Sequence, residues 1–392
     1  MAGDTTKPGA SRRRALLLVE SVSDVRAPAT RDAAEITAAA TPQITEPIAG
    51  LHASGSLWPE QRFSLRVPLA WNGRLIVAGC PGQRSEFACD RIFGDQFLAR
   101  GYAYVSGNKG NGEGVALLEP EAKLEVDGVE LPRFPIGNGH SLVFFQHAPG
   151  HLIERWLTEM VELAQTAGEF LRDRCGREPE FTYAVGLSNG GYQVRRAVET
   201  SDLFDGALAW NPVLWTPQHN VCRALGEAIR AGAEQPSVTP LERKHAVAYW
   251  YVTLWLHATH LDPETSIAYG DVRDPSPAES WIARIQEWNV ERSAEIARRI
   301  EGFANTGTIR CKTMEVASEL DYLTPPSIHV EPYRALVAAA GRTALYRSRI
   351  VAGATHVDSW ADDPKFPELR SGHAEMMIAW DELVAWVEGG PF

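Results

Sequence analysis

Phe181-Thr182-Tyr183-Ala184-Val185-Gly186-Leu187-Ser188-Asn189-Gly190-Gly191 is the stretch whose reading decides the fold. Residues 181–187 form a short aromatic and apolar run of the kind a buried strand requires, and helical spacing follows over 190–200. The pentapeptide Gly186-Leu187-Ser188-Asn189-Gly190 lies between the two. A G-x-S-x-G turn from strand to helix holds its serine in a strained conformation with Oγ exposed, and the glycines are needed because strand and helix approach closely there. Gly191 relieves the same crowding.

Upstream, Phe63–Val67 alternates apolar and polar residues as a half-buried strand does. Leu75-Ile76-Val77-Ala78, ended by Gly79, reads as a strand covered on both faces. A helix over 90–100 with Gly101 at its end, then a strand at Tyr102–Ser106, completes a strand–helix–strand rhythm. Residues 108–150, rich in Gly, Asn and Pro, read as a long excursion with one hairpin about Asp127-Gly128, and residues 152–174 as a long helix. Downstream, Gly206–Trp210 is a short strand. The rhythm resumes with strands at 309–316 and 345–351 and helices at 328–340 and 372–387. The implied fold class is α/β, a mainly parallel sheet flanked by helices.

The organisation expected is an N-terminal extension over 1–45, loosely packed or a tail, a core over 46–210 and 306–392, and a helical cap over 211–305 inserted between two strands. The inserted block has helical patterns over 240–257 and 277–303 and no convincing strand.

A serine alcohol is a weak nucleophile. It needs a base to take its proton and a carboxylate to orient that base. Asp321 follows the 309–316 strand in Ser318-Glu319-Leu320-Asp321-Tyr322-Leu323-Thr324-Pro325-Pro326, where the prolines delay the next helix. His356 follows the 345–351 strand in Gly353-Ala354-Thr355-His356-Val357-Asp358. Ser188, Asp321 and His356 therefore all fall at carboxyl ends of strands, where open α/β sheets build their sites. Glu319 is a rival for the acid, while Asp358 is too close in sequence to His356 to orient it easily.

These motifs, with Ala78-Gly79-Cys80-Pro81-Gly82 after the first long buried strand, resemble those of the α/β-hydrolase superfamily. The resemblance implies an α/β-hydrolase fold, a Ser188–His356–Asp321 triad and hydrolysis of carboxylic esters, with acyl transfer or peptide cleavage as alternatives on the same triad. A non-catalytic binding protein that retains the fold is the third alternative, against which the intact Ser, Asp and His set argues. The turn is similar to the family's H-G-G-P-G stretch, with Ala78 in place of His. It implies an oxyanion hole from the N–H groups of Cys80 and Asn189. Pro81 has no N–H, so Gly82 or Gln83 is the fallback. The feruloyl esterase and tannase branch often joins its serine and histidine regions through flanking cysteines; here Leu187, Thr355 and Val357 stand there.

Composition narrows the partners. The chain of 392 residues has 38 basic and 50 acidic residues, a net charge of -12 that repels phosphate backbones and anionic lipid, so neither nucleic acid nor a membrane surface is an expected partner. No run of about 18 apolar residues is present. Arg12-Arg13-Arg14 precedes only five apolar residues, short for a secretory signal, and a cytoplasmic location is expected. The five cysteines form no CxxC pair; buried free thiols are the simplest reading, with a Cys80–Cys89 bridge left open. Neither a cofactor nor a metal is expected: His257 and His260 share a possible helix face, but no third ligand is evident. The expected partner is a small or oligomeric ester. Trp210, Trp215, Trp250 and Trp255, with Trp281 and Trp288, lie in or beside the cap. They are candidates either for packing the cap or for walling a pocket for bulky or aromatic esters, including lactones and polyester oligomers. Lys109, in the glycine-rich loop, is a candidate for the pocket rim.

Overall fold

Apolar runs too short for helices build the centre of the molecule. The computed structural model describes residues 18–26, 41–58, 61–82, 84–110, 115–118, 125–126, 129–130, 133–137, 140–144, 153–231, 250–251, 253–258, 260–262, 285–358, 361 and 363–389. In chain order the strands are β1 (Leu18–Val22), β2 (Gly50–Trp58), β3 (Gln61–Pro68), β4 (Arg74–Gly79), β5 (Ala103–Gly107), β6 (Val115–Leu118), β7 (Glu125–Val126), β8 (Val129–Glu130), β9 (Arg133–Gly137) and β10 (His140–Phe144). Then come β11 (Phe181–Leu187), β12 (Gly206–Trp210), β13 (Lys312–Ser318) and β14 (Tyr346–Val351).

Nine of them form one mixed sheet in the order β1-β2-β3-β5-β4-β11-β12-β13-β14. From β5 across to β14 every neighbouring pair is parallel, while β1, β2 and β3 add an antiparallel edge. The expected strands are all present, most within a residue or two; β13 begins at Lys312 and ends at Ser318. The N-terminal segment departs from the expected tail, because Leu18–Val22 pairs with Gly50–Ser54 as the edge strand. In the excursion, β7 pairs with β8 across positions 127–128, where the hairpin was expected, and β6, β10 and β9 form a separate small sheet.

Side chains alternate across the parallel strands and fill two cores. On one face Leu75, Val77, Val105, Ala184 and Ala207 pack with Met160, Leu163, Val194 and Val337 from the helices Trp156–Cys175, Asn189–Thr200 and Glu331–Ala339. On the other, Ile76, Tyr104, Val185 and Leu208 pack with Phe97, Met376 and Trp380 from Asp95–Ala99 and Gly372–Glu388. Helices on both faces are what near-continuous apolar strands demand.

A third cluster joins Trp215, Trp250, Trp255, Trp288 and Phe303 to Tyr192, Tyr322 and Leu323. The described residues of 211–305 include the helices Val221–Ala231 and Ala294–Phe303. The two ends of this segment are tied together, Asn305 N–H donating to the Trp215 carbonyl at 2.7 Å and Trp215 N–H to Asn305 Oδ1 at 3.1 Å. Trp281 lies outside the described residues. Among those residues, no helix is long and apolar enough to cross a membrane.

Candidate active site

Ser188 begins the helix Asn189–Thr200 with φ 59° and ψ -119°, a positive-φ conformation that a residue with a Cβ adopts only under constraint. The constraint is visible in the glycines. A Cβ on Gly186 would lie 2.3 Å from the Gly190 carbonyl oxygen, and one on Gly190 would lie 2.0 Å from the Gly79 carbonyl oxygen. A Cβ on Gly191 would meet Pro212 at 2.7 Å. Elbow, helix start and the turn after β4 are thus in direct backbone contact. Ser188 N–H donates to the Trp210 carbonyl at 2.9 Å, and the Ser188 carbonyl accepts from Tyr192 and Val213, both at 3.1 Å.

Two strands across, the Asp321 carboxylate is buried and fully engaged. Oδ1 accepts the N–H groups of Leu323 and Thr324, both at 2.8 Å. Oδ2 accepts Thr324 Oγ1–H at 2.6 Å and His356 Nδ1–H at 2.7 Å. Burial by itself would raise this carboxyl, but the His356 charge and hydrogen bond, with the bonds from Thr324, outweigh it and hold it below the ordinary value of 3.8. With Nδ1 donating, Nε2 of neutral His356 is an acceptor. Among the described residues Ser188 Oγ and His356 are not hydrogen-bonded to each other; such contacts commonly tighten only with substrate bound.

Both rivals for the acid are occupied elsewhere. Glu319 is exposed and its Oε2 accepts Gly353 N–H at 3.0 Å. Asp358 caps the C-terminal helix, accepting from Gly372 and His373 N–H at 2.7 and 2.8 Å and from Ser371 Oγ–H at 2.7 Å.

Asn211 has a part that its position at a strand end did not disclose. Its Nδ2 donates to the His356 carbonyl at 2.8 Å and to Ser318 Oγ at 3.0 Å, and its Oδ1 accepts Ser318 N–H at 2.7 Å. The side chain thereby links the ends of β12, β13 and the histidine loop. Thr324 was also passed over, although an Asp followed three residues later by Thr is a turn signal readable in sequence.

Cys80 and Asn189 begin the two segments that meet at the Gly79–Gly190 contact, and a Cβ on Gly190 would lie 3.1 Å from the Cys80 nitrogen. Gly82 has φ +47°, and Gln83 lies outside the described residues. All five cysteines are free, and burial pushes the Cys80 thiol up to about 11, so it is a poor nucleophile at neutral pH.

The tryptophans divide. Trp210 packs edge-on against Phe93 and His373 in the core of the C-terminal helix face, apart from the cluster that holds Trp215, Trp250 and Trp255. Trp215 packs against His257 and Phe303, ring centroids 5.4 and 5.2 Å apart. Trp250 Nε1–H donates to the Tyr322 carbonyl at 2.7 Å, beside Asp321. Lys109, expected at a rim, is fully buried.

Among solved structures the chain is similar to feruloyl esterase B from Aspergillus oryzae, with 13% identity over 97% of this chain and 88% of that one and a TM-score of 0.51. It is similar also to tannin acyl hydrolase from Aspergillus niger, with 12% identity over 96% and 83% of the two chains and a TM-score of 0.52. The fold is that of the α/β-hydrolases. Similarity to the acylaminoacyl peptidase of Pyrococcus horikoshii, 14% identity with a TM-score of 0.43, covers 82% of this chain but 39% of that one, so the chain spans less than half of that protein's length. No protein-family model matches the chain, and no curated protein matches its sequence.

Proposed function

We propose that this α/β-hydrolase cleaves carboxylic esters through an acyl-enzyme on Ser188. The observation that carries the reading is a serine held at φ 59° at the end of β11, with a buried His356–Asp321 pair in the loops after β13 and β14 of the same sheet. His356 Nε2 takes the Ser188 hydroxyl proton as Oγ bonds the acyl carbon, and the carbonyl electrons move onto oxygen. The N–H groups of Cys80 and Asn189 stabilise that oxyanion, each donor contributing on the order of 3 kcal/mol in the transition state. Collapse expels the alkoxide, which takes the proton from His356. Water, deprotonated by the same imidazole, then releases the acid and restores Ser188. Asp321 fixes the imidazole tautomer and stabilises the imidazolium.

The described residues of 211–305 act as a cap over the carboxyl edge of the sheet, and Trp215, Trp250 and Trp255 belong to its packing. The shared ends of the segment at Trp215 and Asn305, and the bond from Trp250 to the Asp321 loop, support this placement.

The test is turnover of short aryl esters by wild type and Ser188→Ala, with fluorophosphonate labelling of the serine. Loss of turnover and of labelling without a change in melting temperature is expected. Wild-type turnover in Ser188→Ala would end the reading.

A further inference from the structure

We infer that Lys109 and His257 are positioning residues that hold the Cys80 and Asn189 donors of the oxyanion hole in place. The inference rests on the Ser188 reading above and extends it to groups that touch neither substrate nor triad.

On the Cys80 side, the ladder between β4 and β11 ends at the pair Gly79 and Gly186. The next residue after Cys80 is Pro81, which offers no N–H with which the turn could be tied down. The Cys80 carbonyl instead accepts from Lys109 Nζ at 2.5 Å. Cys80 is thus fixed on one side by the sheet and on the other by an ammonium. Lys109 is fully buried, its nitrogen 4.8 Å from the Trp156 ring centre, with no carboxylate within ion-pair distance among the described residues. The charge of the buried Glu159 carboxylate offsets part of the cost of burying this ammonium.

The backbone of Lys109 is itself strained, with φ 60°. Glu159 Oε1 accepts its N–H at 2.6 Å, and Asn108 Oδ1 accepts from Gly110 at 3.0 Å. The other Glu159 oxygen accepts Gln193 Nε2–H at 2.8 Å. Gln193 stands on the helix that Ser188 begins. One carboxylate therefore ties the lysine's strained loop to the elbow helix.

On the Asn189 side, His257 Nδ1 faces the Thr253 carbonyl at 2.7 Å and so carries the ring proton. Burial holds His257 down at about 3, leaving the ring neutral and Nε2 an acceptor. Asn189 Oδ1 lies 3.1 Å from Nε2; since two acceptors do not bond, the amide oxygen and nitrogen are exchanged so that the NH2 donates to Nε2. His257 also packs on Trp156, ring centroids 6.2 Å apart. The sequence Cys80, Lys109, Trp156, His257, Asn189 is thus a chain of contacts running from one donor residue to the other.

The experiment uses the full chain with four substitutions, Lys109→Met, Lys109→Arg, His257→Phe and His257→Gln. It reads kcat and KM on 4-nitrophenyl butyrate, inhibition by phenylboronic acid as a tetrahedral mimic, and melting temperature. Lys109→Met and His257→Phe are expected to lower kcat by about 10- to 100-fold and to weaken boronate inhibition by a similar factor, with KM within about threefold, since misplaced donors lose transition-state binding alone. Lys109→Arg, which keeps a donor, and His257→Gln, which keeps an acceptor, should recover part of both losses. A folded Lys109→Met with wild-type kcat and boronate affinity overturns the lysine's part; should that variant not fold, Lys109→Arg and the His257 pair read the same quantity. Equal losses in His257→Phe and His257→Gln, or a change in KM alone, overturn the histidine's part. Turnover surviving in Ser188→Ala would instead defeat the parent reading, whatever these four variants do.

Discussion

Three of the four hydrogen bonds on Asp321 come from Leu323 and Thr324, within three residues of it, and the fourth from His356. Cys80 has no such local support: apart from a weak thiol contact with the Arg84 carbonyl, its carbonyl is held by Lys109, in another loop. The Asn189 N–H shares a peptide unit with the Ser188 carbonyl, which Tyr192 and Val213 hold, while the Asn189 side chain meets His257 of the inserted segment. The loop of the proposed acid folds onto its own carboxylate, while the turn at Cys80, the proposed oxyanion donor, is held by a bond from another loop. Damage to the first should require changing a reacting group, and damage to the second can come from remote residues.

The sharpest way to break the comparison is on the acid. Asp321→Asn keeps the shape of the loop but favours the wrong imidazole tautomer, and a fall in kcat of about 10⁴-fold is expected. Glu319→Gln should stay near wild type, because its carboxylate faces Gly353. Steady-state rates of the two variants decide it, and the reverse ranking would move the acid by two residues.

A smaller loss is expected from Asn211→Gly. Asn211 sits at φ 46°, which glycine tolerates, so the substitution removes the side-chain bonds to Ser318 and His356 without adding strain. A drop of about tenfold in kcat, with KM nearly unchanged, is expected when a positioning contact to the base is lost. Wild-type kcat would mean that the loop after β14 holds His356 unaided.

How much was legible follows from the same contrast. The central parallel strands β4, β5, β11 and β12 are short apolar runs, and the triad candidates follow strand ends directly, so their placement could be read in one dimension. The antiparallel edge was not legible in β1 and β2: Gly50–Trp58 is mostly half-buried and its apolar residues do not alternate cleanly. Lys109 was misread as a rim residue because a lysine is almost never fully buried. Its partners, Cys80 and Glu159, lie 29 and 50 residues away, a distance over which no periodicity carries a signal. His257 was weighed as a metal ligand for its spacing from His260, and only the fold shows its nitrogen against Asn189. Trp210 was grouped with the cap tryptophans by position in the chain, but the alternation of β12 turns its ring to the opposite face.

The cap tryptophans offer a finer test. Trp250 donates to the Tyr322 carbonyl and is almost wholly buried. Trp250→Phe keeps an aromatic ring but removes that bond beside Asp321, so a loss of about three- to tenfold is expected equally on acetate and bulky aryl esters. Trp255→Ala, by contrast, tests the wall itself. A loss confined to bulky esters there would make Trp255 part of the substrate pocket, and equal losses would leave it in the packing of the cap.

The smallest effect on rate, and a clear one on stability, should come from His329. Its Nδ1 accepts Leu214 N–H at 3.0 Å in the segment that follows Asn211, and the ring is fully buried. Burial first, then the charges of Arg195, His356 and His257, hold it down at about 3 from an ordinary 6.5, against an opposing pull from Asp321. His257, at about 3 for the same first cause, behaves alike. An unfolded chain takes up protons on both rings below about 6.5, and the folded chain does not until about 3. Their contribution to stability is therefore complete above pH 6.5 and is lost as pH falls toward 3. Melting temperature should decline over that window in wild type, and less steeply in His329→Gln, whose amide keeps an acceptor for Leu214 without binding a proton. Turnover at pH 8 should stay within about twofold of wild type, because His329 holds backbone and touches no reacting atom. An unchanged slope of melting temperature against pH in the variant would show that the ring is protonated in the folded chain, and that the loop after Asn211 tolerates the charge.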